Sequence, residues 1–146
     1  MLLNALVIED SDDDAILLQR LAEASGLPIS IRVTRDAETA LELLAAATRS
    51  SDRSDLPRFV LLDLSLPKLT GFEVLREMKR DPDLKDIPVI ILSGTENDED
   101  IRLGSVLKAH THIVKPMSST EFRWIVESVR NYWPRLDRIR ELEQAA

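Results

Sequence analysis

Short apolar runs and longer segments of helical period alternate along this chain. Residues 2–8, 29–33, 59–62, 89–92 and 111–114 have strand length. Three of these runs are apolar without alternation, the pattern of strands covered on both faces. Ile16, Leu17, Leu21 and Ala24 make a first helical stripe, stopped by Gly26 and Pro28. Residues 37–48 make a second, with Asp36 as N-cap and Ala, Leu and Glu as strong helix formers. The third, 72–80, follows a capping box of Thr70 and Glu73 and ends at Asp81-Pro82. The fourth, about 98–109, is the weakest, because Gly104 costs about 1 kcal/mol against Ala inside a helix. Ser118 and Glu121 form a second capping box ahead of a fifth helix from Phe122. Strand and helix thus alternate five times, which predicts a parallel sheet with helices on both faces.

Residues 49–58, rich in Ser, Asp and Arg, read as a solvated loop. After the fifth helix, Tyr132-Trp133-Pro134 precedes 135–146, again of helical pattern, with Pro134 near a first turn. Leu136, Ile139 and Leu142 would share one face there. The division expected is a main domain over 1–133 and a C-terminal helical extension over 134–146, without a separate output domain. That extension is either a solvated tail or an arm that packs on a partner chain. The aromatic pair favours the arm.

Length and charge narrow the field. At 146 residues the chain makes one domain, able to bury about two-thirds of its unfolded surface. There is no cysteine, so disulfides and thiolate metal sites are excluded. A formal charge of -7 argues against sequence-independent nucleic-acid binding, which neutralises phosphates with Lys and Arg. No apolar run approaches the roughly 20 residues that span a bilayer. The start, Met1-Leu2-Leu3-Asn4, lacks the basic flank and cleavage site of a signal peptide. A soluble cytoplasmic protein is expected.

The chemistry lies where the apolar runs stop. The first runs into Glu9-Asp10, the third into Asp63, the fourth into Ser93 and the fifth into Lys115-Pro116. In open α/β sheets, ligands bind outside the carboxyl ends of the strands. Three carboxylates, a hydroxyl and an ammonium along one rim suit a Mg²⁺ ion and a phosphoryl group. Asp63 stands alone after its apolar run, placed to act as a carboxylate nucleophile. Any one of these residues could be a cap or a strand end facing water. Their joint order makes coincidence a poor account.

In these motifs the chain resembles the receiver domains of two-component response regulators, over essentially residues 2–131. The resemblance rests on Val7-Ile8-Glu9-Asp10-Ser11, on residues 61–67 with Gly71, on residues 91–94, and on Val114-Lys115-Pro116. It implies a flavodoxin-like (βα)5 three-layer sandwich whose five-stranded parallel sheet has the order 2-1-3-4-5. It further implies Asp63 as phosphoacceptor and Glu9 and Asp10 as the acidic pair, with Asp10 a direct Mg²⁺ ligand. The Ser65 backbone carbonyl would complete the metal site. Ser93 would be the switch hydroxyl, Lys115 the lysine that contacts the phosphoryl group, and Lys115–Pro116 a cis peptide. A narrower resemblance, to the stand-alone regulators of bacterial phytochromes, rests on residues 66–68, 81–88 and 92–101 and on Tyr132-Trp133. It implies a light-sensing histidine kinase as phosphodonor and a homodimer.

The chain departs from the family pattern at several positions. His112, three before the lysine, stands where many receivers carry Tyr or Phe; it is either an edge-strand residue or a switch sensitive to pH. His110 has no such context and reads as a surface residue. Thr70 replaces an Asp and is explained by capping. Ser65 and Thr95, two past Asp63 and Ser93, supply no amide to orient a water, which implies a phosphoryl group lasting minutes or longer.

The resulting reading is a single-domain response regulator phosphorylated on Asp63 by a sensor histidine kinase, a phosphoacceptor and not a turnover enzyme. A receiver-like adaptor that dimerises without phosphorylation is the alternative, disfavoured by the intact Asp10, Asp63 and Lys115. An aspartate-nucleophile phosphatase would want an acidic residue where Ser65 stands. A nucleotide-binding reading lacks a Gly-rich phosphate loop after the first strand.

Overall fold

The computed structural model describes residues 3–63, 68–94 and 111–145. The strands are β1 (Leu3–Ile8), β2 (Ile29–Thr34), β3 (Phe59–Asp63), β4 (Val89–Ser93) and β5 (Thr111–Val114). The helices are α1 (Asp12–Ser25), α2 (Ala37–Arg49), α3 (Lys68–Arg80) and α4 (Ser119–Ala145). All strand pairs are parallel and the sheet order is β2-β1-β3-β4-β5. The segment 98–109, expected to be helical, lies outside the described residues.

Side-chain alternation along the strands divides the interior into two layers. On one face Ile8, Leu62 and Ile91 pack with Leu44 of α2 and Leu75 and Met78 of α3. On the other, Val7, Leu61 and Leu92 pack with Leu18 of α1 and Phe122 and Val126 of α4. Strands β3 and β4 are buried at every residue, which explains their unbroken apolar runs. The edge strand β2 is shielded less and alternates.

Local signals set most helix ends. Asp36 accepts the Thr39 N–H at 2.7 Å and caps α2. Gly26 ends α1 in the left-handed region (φ 68°, ψ 5°), where a Cβ would be strained. Ser118 Oγ accepts the Glu121 N–H at 3.0 Å while Glu121 Oε1 accepts the Ser118 N–H at 3.0 Å, a complete capping box ahead of α4. Residues 49–58 hold one 3-10 turn, Arg53–Asp55, with no buried side chain in it.

Three local expectations are corrected. The face of α1 that meets the core is Leu18 and Ala22, whereas Ile16 and Leu17 are exposed at 44% and 41%. A stripe drawn through Ile16 and Leu17 is rotated away from the sheet. Helix α3 begins at Lys68, so Thr70 falls inside its first turn instead of at the cap. Helix α4 runs unbroken to Ala145 with Pro134 inside it, not as two helices meeting at Pro134.

Tyr132 and Trp133 belong to the body of the domain. The Tyr132 hydroxyl donates to Asp86 O at 2.8 Å, and Trp133 Nε1–H donates to Arg58 O at 2.8 Å. Trp133 packs against both core layers, with the Arg58 guanidinium 4.8 Å from its ring centroid. Leu136 is half-buried beyond it, while Leu142 is 66% exposed.

Candidate functional site

The sheet order reverses between β1 and β3, so the crevice of an open α/β sheet opens above these two strands. Ile8 pairs with Leu62, so the next residues, Glu9 and Asp63, leave the sheet side by side. Asp63 pairs with Leu92 and Ser93 with Val114, so Ser93 and Lys115 follow at the same level. Backbone hydrogen bonds hold this rim: Glu9 N–H to Thr34 O at 2.9 Å, and Lys115 N–H to Ser93 O at 2.7 Å. The Lys115–Pro116 peptide is cis, as expected.

Burial sharpens the electrostatics. Glu9 is 1% exposed, Asp63 0% and Ser93 4%. The Lys115 ammonium lies 2.7 Å from Glu9 Oε1, 2.9 Å from Asp63 Oδ2 and 2.9 Å from Asp14 Oδ2. Burial alone would lower the lysine pKa, but its hydrogen bonds to Glu9, Asp14 and Asp63 outweigh burial and raise it. Lys115 is therefore a fixed cation. Glu9 is pushed up to about 7, first by burial and then by its hydrogen bond with Asp63; Lys115 opposes the shift.

One carboxylate oxygen each from Glu9, Asp10 and Asp63 gathers within 4.8 Å of the others. Asp10 is exposed while its two neighbours are buried. An all-oxygen donor set of this kind fits a hard divalent cation that keeps several waters. The raised pKa of Glu9 fits too, since a cation would relieve the crowding that favours its proton. The expected backbone contribution of Ser65 lies outside the described residues, as do Thr95 and His110.

Ser93 and His112 share a sheet face, because Ile91 pairs with His112 and Ser93 follows Ile91 by two. His112 Nε2 lies 3.0 Å from Ser93 Oγ. Asp14 is the site residue that the sequence pattern did not single out. It stands three residues after the N-cap Ser11, whose Oγ accepts its N–H at 3.3 Å. An acidic residue at that spacing reads as a capping box, yet its carboxylate turns to Lys115. A cavity of about 290 Å³ opens beside the site, lined by Asp14, Leu17, Lys115, Pro116 and Met117 among others, and gives access from solvent. A larger groove of about 820 Å³ lies at the opposite end of the strands, between Arg58, Asp86 and Trp133, away from the carboxylates.

The model of the response regulator receiver domain family matches residues 5–127. The chain belongs to this family. This receiver is 32% identical to the response regulator Rcp1 of Synechocystis over 88% of its own length and 86% of that protein's. It is 36% identical to a probable methanogenesis regulatory protein, FilR2, of Methanothrix harundinacea, over 88% and 81% of the two chains. Among solved structures, the phosphorylated cyanobacterial phytochrome response regulator RcpA is 32% identical, with a TM-score of 0.72 over 91% of this chain and 94% of that chain. The bacteriophytochrome response regulator RtBRR is 30% identical, with a TM-score of 0.74 over 88% and 78%. The receiver is thus closely related to regulators of the phytochrome type. No helix among its described residues is long and apolar enough to cross a membrane.

Proposed function

We propose that this receiver is a phosphorylation switch whose acceptor is Asp63. The observation that carries the proposal is a fully buried carboxylate held 2.9 Å from a fixed ammonium at the mouth of a parallel sheet. An Asp63 oxygen attacks the phosphorus of a phosphohistidine on a sensor kinase. As the O–P bond forms, the P–N bond breaks and the imidazole nitrogen leaves with the electron pair. Glu9, Asp10 and Asp63 would hold Mg²⁺, with the Ser65 carbonyl as a further ligand, and the ion would neutralise charge on the transferring oxygens.

Lys115 supplies a permanent positive charge beside the acceptor, and the Ser93 hydroxyl donates to a phosphoryl oxygen. Moving that hydroxyl alters its contact with His112 and so carries the event into β5, which makes His112 the second half of the switch. The donor we infer is a histidine kinase of the phytochrome class, on the strength of the relatives named above. The chain acts as a substrate with slow self-dephosphorylation instead of a turnover enzyme, and as a homodimer.

Intact mass after incubation with Mg²⁺ and acetyl phosphate tests this reading. One added phosphoryl group in the parent, and none in Asp63→Asn, is the expected result. An unmodified parent with acetyl phosphate and with a phosphorylated histidine kinase would favour an adaptor that works without phosphorylation.

A further inference from the structure

An ammonium has three N–H donors, and at Lys115 three carboxylates take them: Glu9 Oε1, Asp14 Oδ2 and Asp63 Oδ2. Two of these acceptors also belong to the acidic cluster that fits a cation. Asp14 does not. It comes from the first turn of α1, and its side chain is 42% exposed where those of Glu9 and Asp63 are sealed.

We propose that Asp14 anchors Lys115, as a positioning residue whose contact persists while the partners Glu9 and Asp63 are engaged by a cation and a phosphoryl group. The inference rests on the phosphoacceptor reading of Asp63 and deepens it. A cation competes for the lone pairs of Glu9 and Asp63 that the lysine uses. Formation of the acyl phosphate, a mixed anhydride, then turns the Asp63 carboxylate into a much poorer acceptor. The donor released there becomes free for a phosphoryl oxygen, and the donor on Asp14 keeps the ammonium in place to use it. Without Asp14 the four-carbon stem of Lys115 regains rotamers that must be lost again at each phosphorylation.

The opposite effect is also built into the position. The Asp14 carboxylate adds negative charge near an incoming anion, so its removal relieves repulsion while it loosens the lysine. The two consequences have opposite signs. Asp12 and Asp13 share the first turn of α1 with Asp14, and all three complement the helix dipole. An Asp14 serving the helix alone would change stability and leave Lys115 undisturbed.

The test uses the full chain, loaded with Mg²⁺, as parent, Asp14→Asn, Asp14→Glu and, as a same-turn control, Asp12→Asn. The readouts are the exchange rate of the Lys115 ammonium protons by lysine ¹⁵N NMR and the affinity for beryllofluoride, a phosphoryl analogue. Asp14→Asn is expected to speed the exchange and to weaken beryllofluoride about tenfold, the scale of one charge-assisted hydrogen bond. Asp14→Glu is expected to recover part of both, and Asp12→Asn to change neither. Unchanged ammonium exchange in Asp14→Asn, or tighter beryllofluoride binding, would overturn the anchor. A parent that takes no beryllofluoride would instead count against the phosphoacceptor reading, while the ammonium exchange would still decide whether Asp14 anchors Lys115.

Discussion

His112 Nε2 and Ser93 Oγ lie 3.0 Å apart across the β4–β5 pair, which ties the proposed switch hydroxyl to a ring on the outermost strand. With the ring nitrogen accepting from the Ser93 hydroxyl, a phosphoryl group on Asp63 would compete with it for the same proton. His112→Phe removes the competitor and keeps a ring of similar bulk. A net hydrogen bond contributes about 0.5–1.5 kcal/mol, so beryllofluoride affinity should rise roughly two- to tenfold. Titration followed by ¹⁹F NMR of the bound beryllofluoride would measure it, and weaker binding in His112→Phe would show that the ring supports the hydroxyl in the phosphorylated form instead.

The folded-state pKa of Glu9, about 7 against an ordinary 4.5, has a consequence for stability. A carboxyl whose pKa is raised by folding favours the native state while protonated. That contribution is complete below about pH 4.5 and is lost as pH rises through about 7. Mg²⁺ takes the place of the proton, so the stabilisation it gives should grow across the same window. Thermal midpoints of the metal-free and Mg²⁺-loaded protein, taken from pH 4.5 to 7, are expected to diverge as pH rises. Glu9→Gln should remove this component of the metal-free slope. An identical slope in Glu9→Gln would assign the pH dependence to other groups.

The strand ends were legible because a strand buried on both faces must break its apolar run where it leaves the sheet. Asp63 and Ser93 mark that point, and the parallel register then brings them to one rim. Helix faces are less legible. In α1 the apolar residues Ile16 and Leu17 adjoin the true core position Leu18, so a stripe can be drawn one residue out of phase. Asp14 was missed for a different reason. Its spacing from Ser11 has a sufficient local explanation as a capping box, and only the fold shows that Lys115, 101 residues away, claims the carboxylate.

Homodimer formation through the C-terminal arm can be tested while the contacts of Tyr132 and Trp133 are kept. Ending the chain after Pro134 keeps Tyr132 and Trp133, whose hydrogen bonds reach Asp86 and Arg58. Sedimentation is expected to show a dimer for the full chain and a monomer for the shortened one. A truncated chain that still dimerises would move the interface off the arm.

Trp133 itself should matter for stability more than for association. Its ring touches both core layers, its Nε1–H satisfies the Arg58 carbonyl at 2.8 Å, and the Arg58 guanidinium covers its face. Trp133→Ala opens a cavity where the two layers meet and leaves that carbonyl without its donor. The ring is half-buried, so the cost should be about 2–4 kcal/mol, at or below the roughly 3–5 kcal/mol usual for removing a core aromatic. Trp133→Phe keeps much of the packing but loses the N–H, and should cost about 1–2 kcal/mol. Urea unfolding of both variants and the parent would measure the two components. Equal losses in Trp133→Phe and Trp133→Ala would mean that the hydrogen bond, and not the packing of the ring, holds α4 to the base of the sheet.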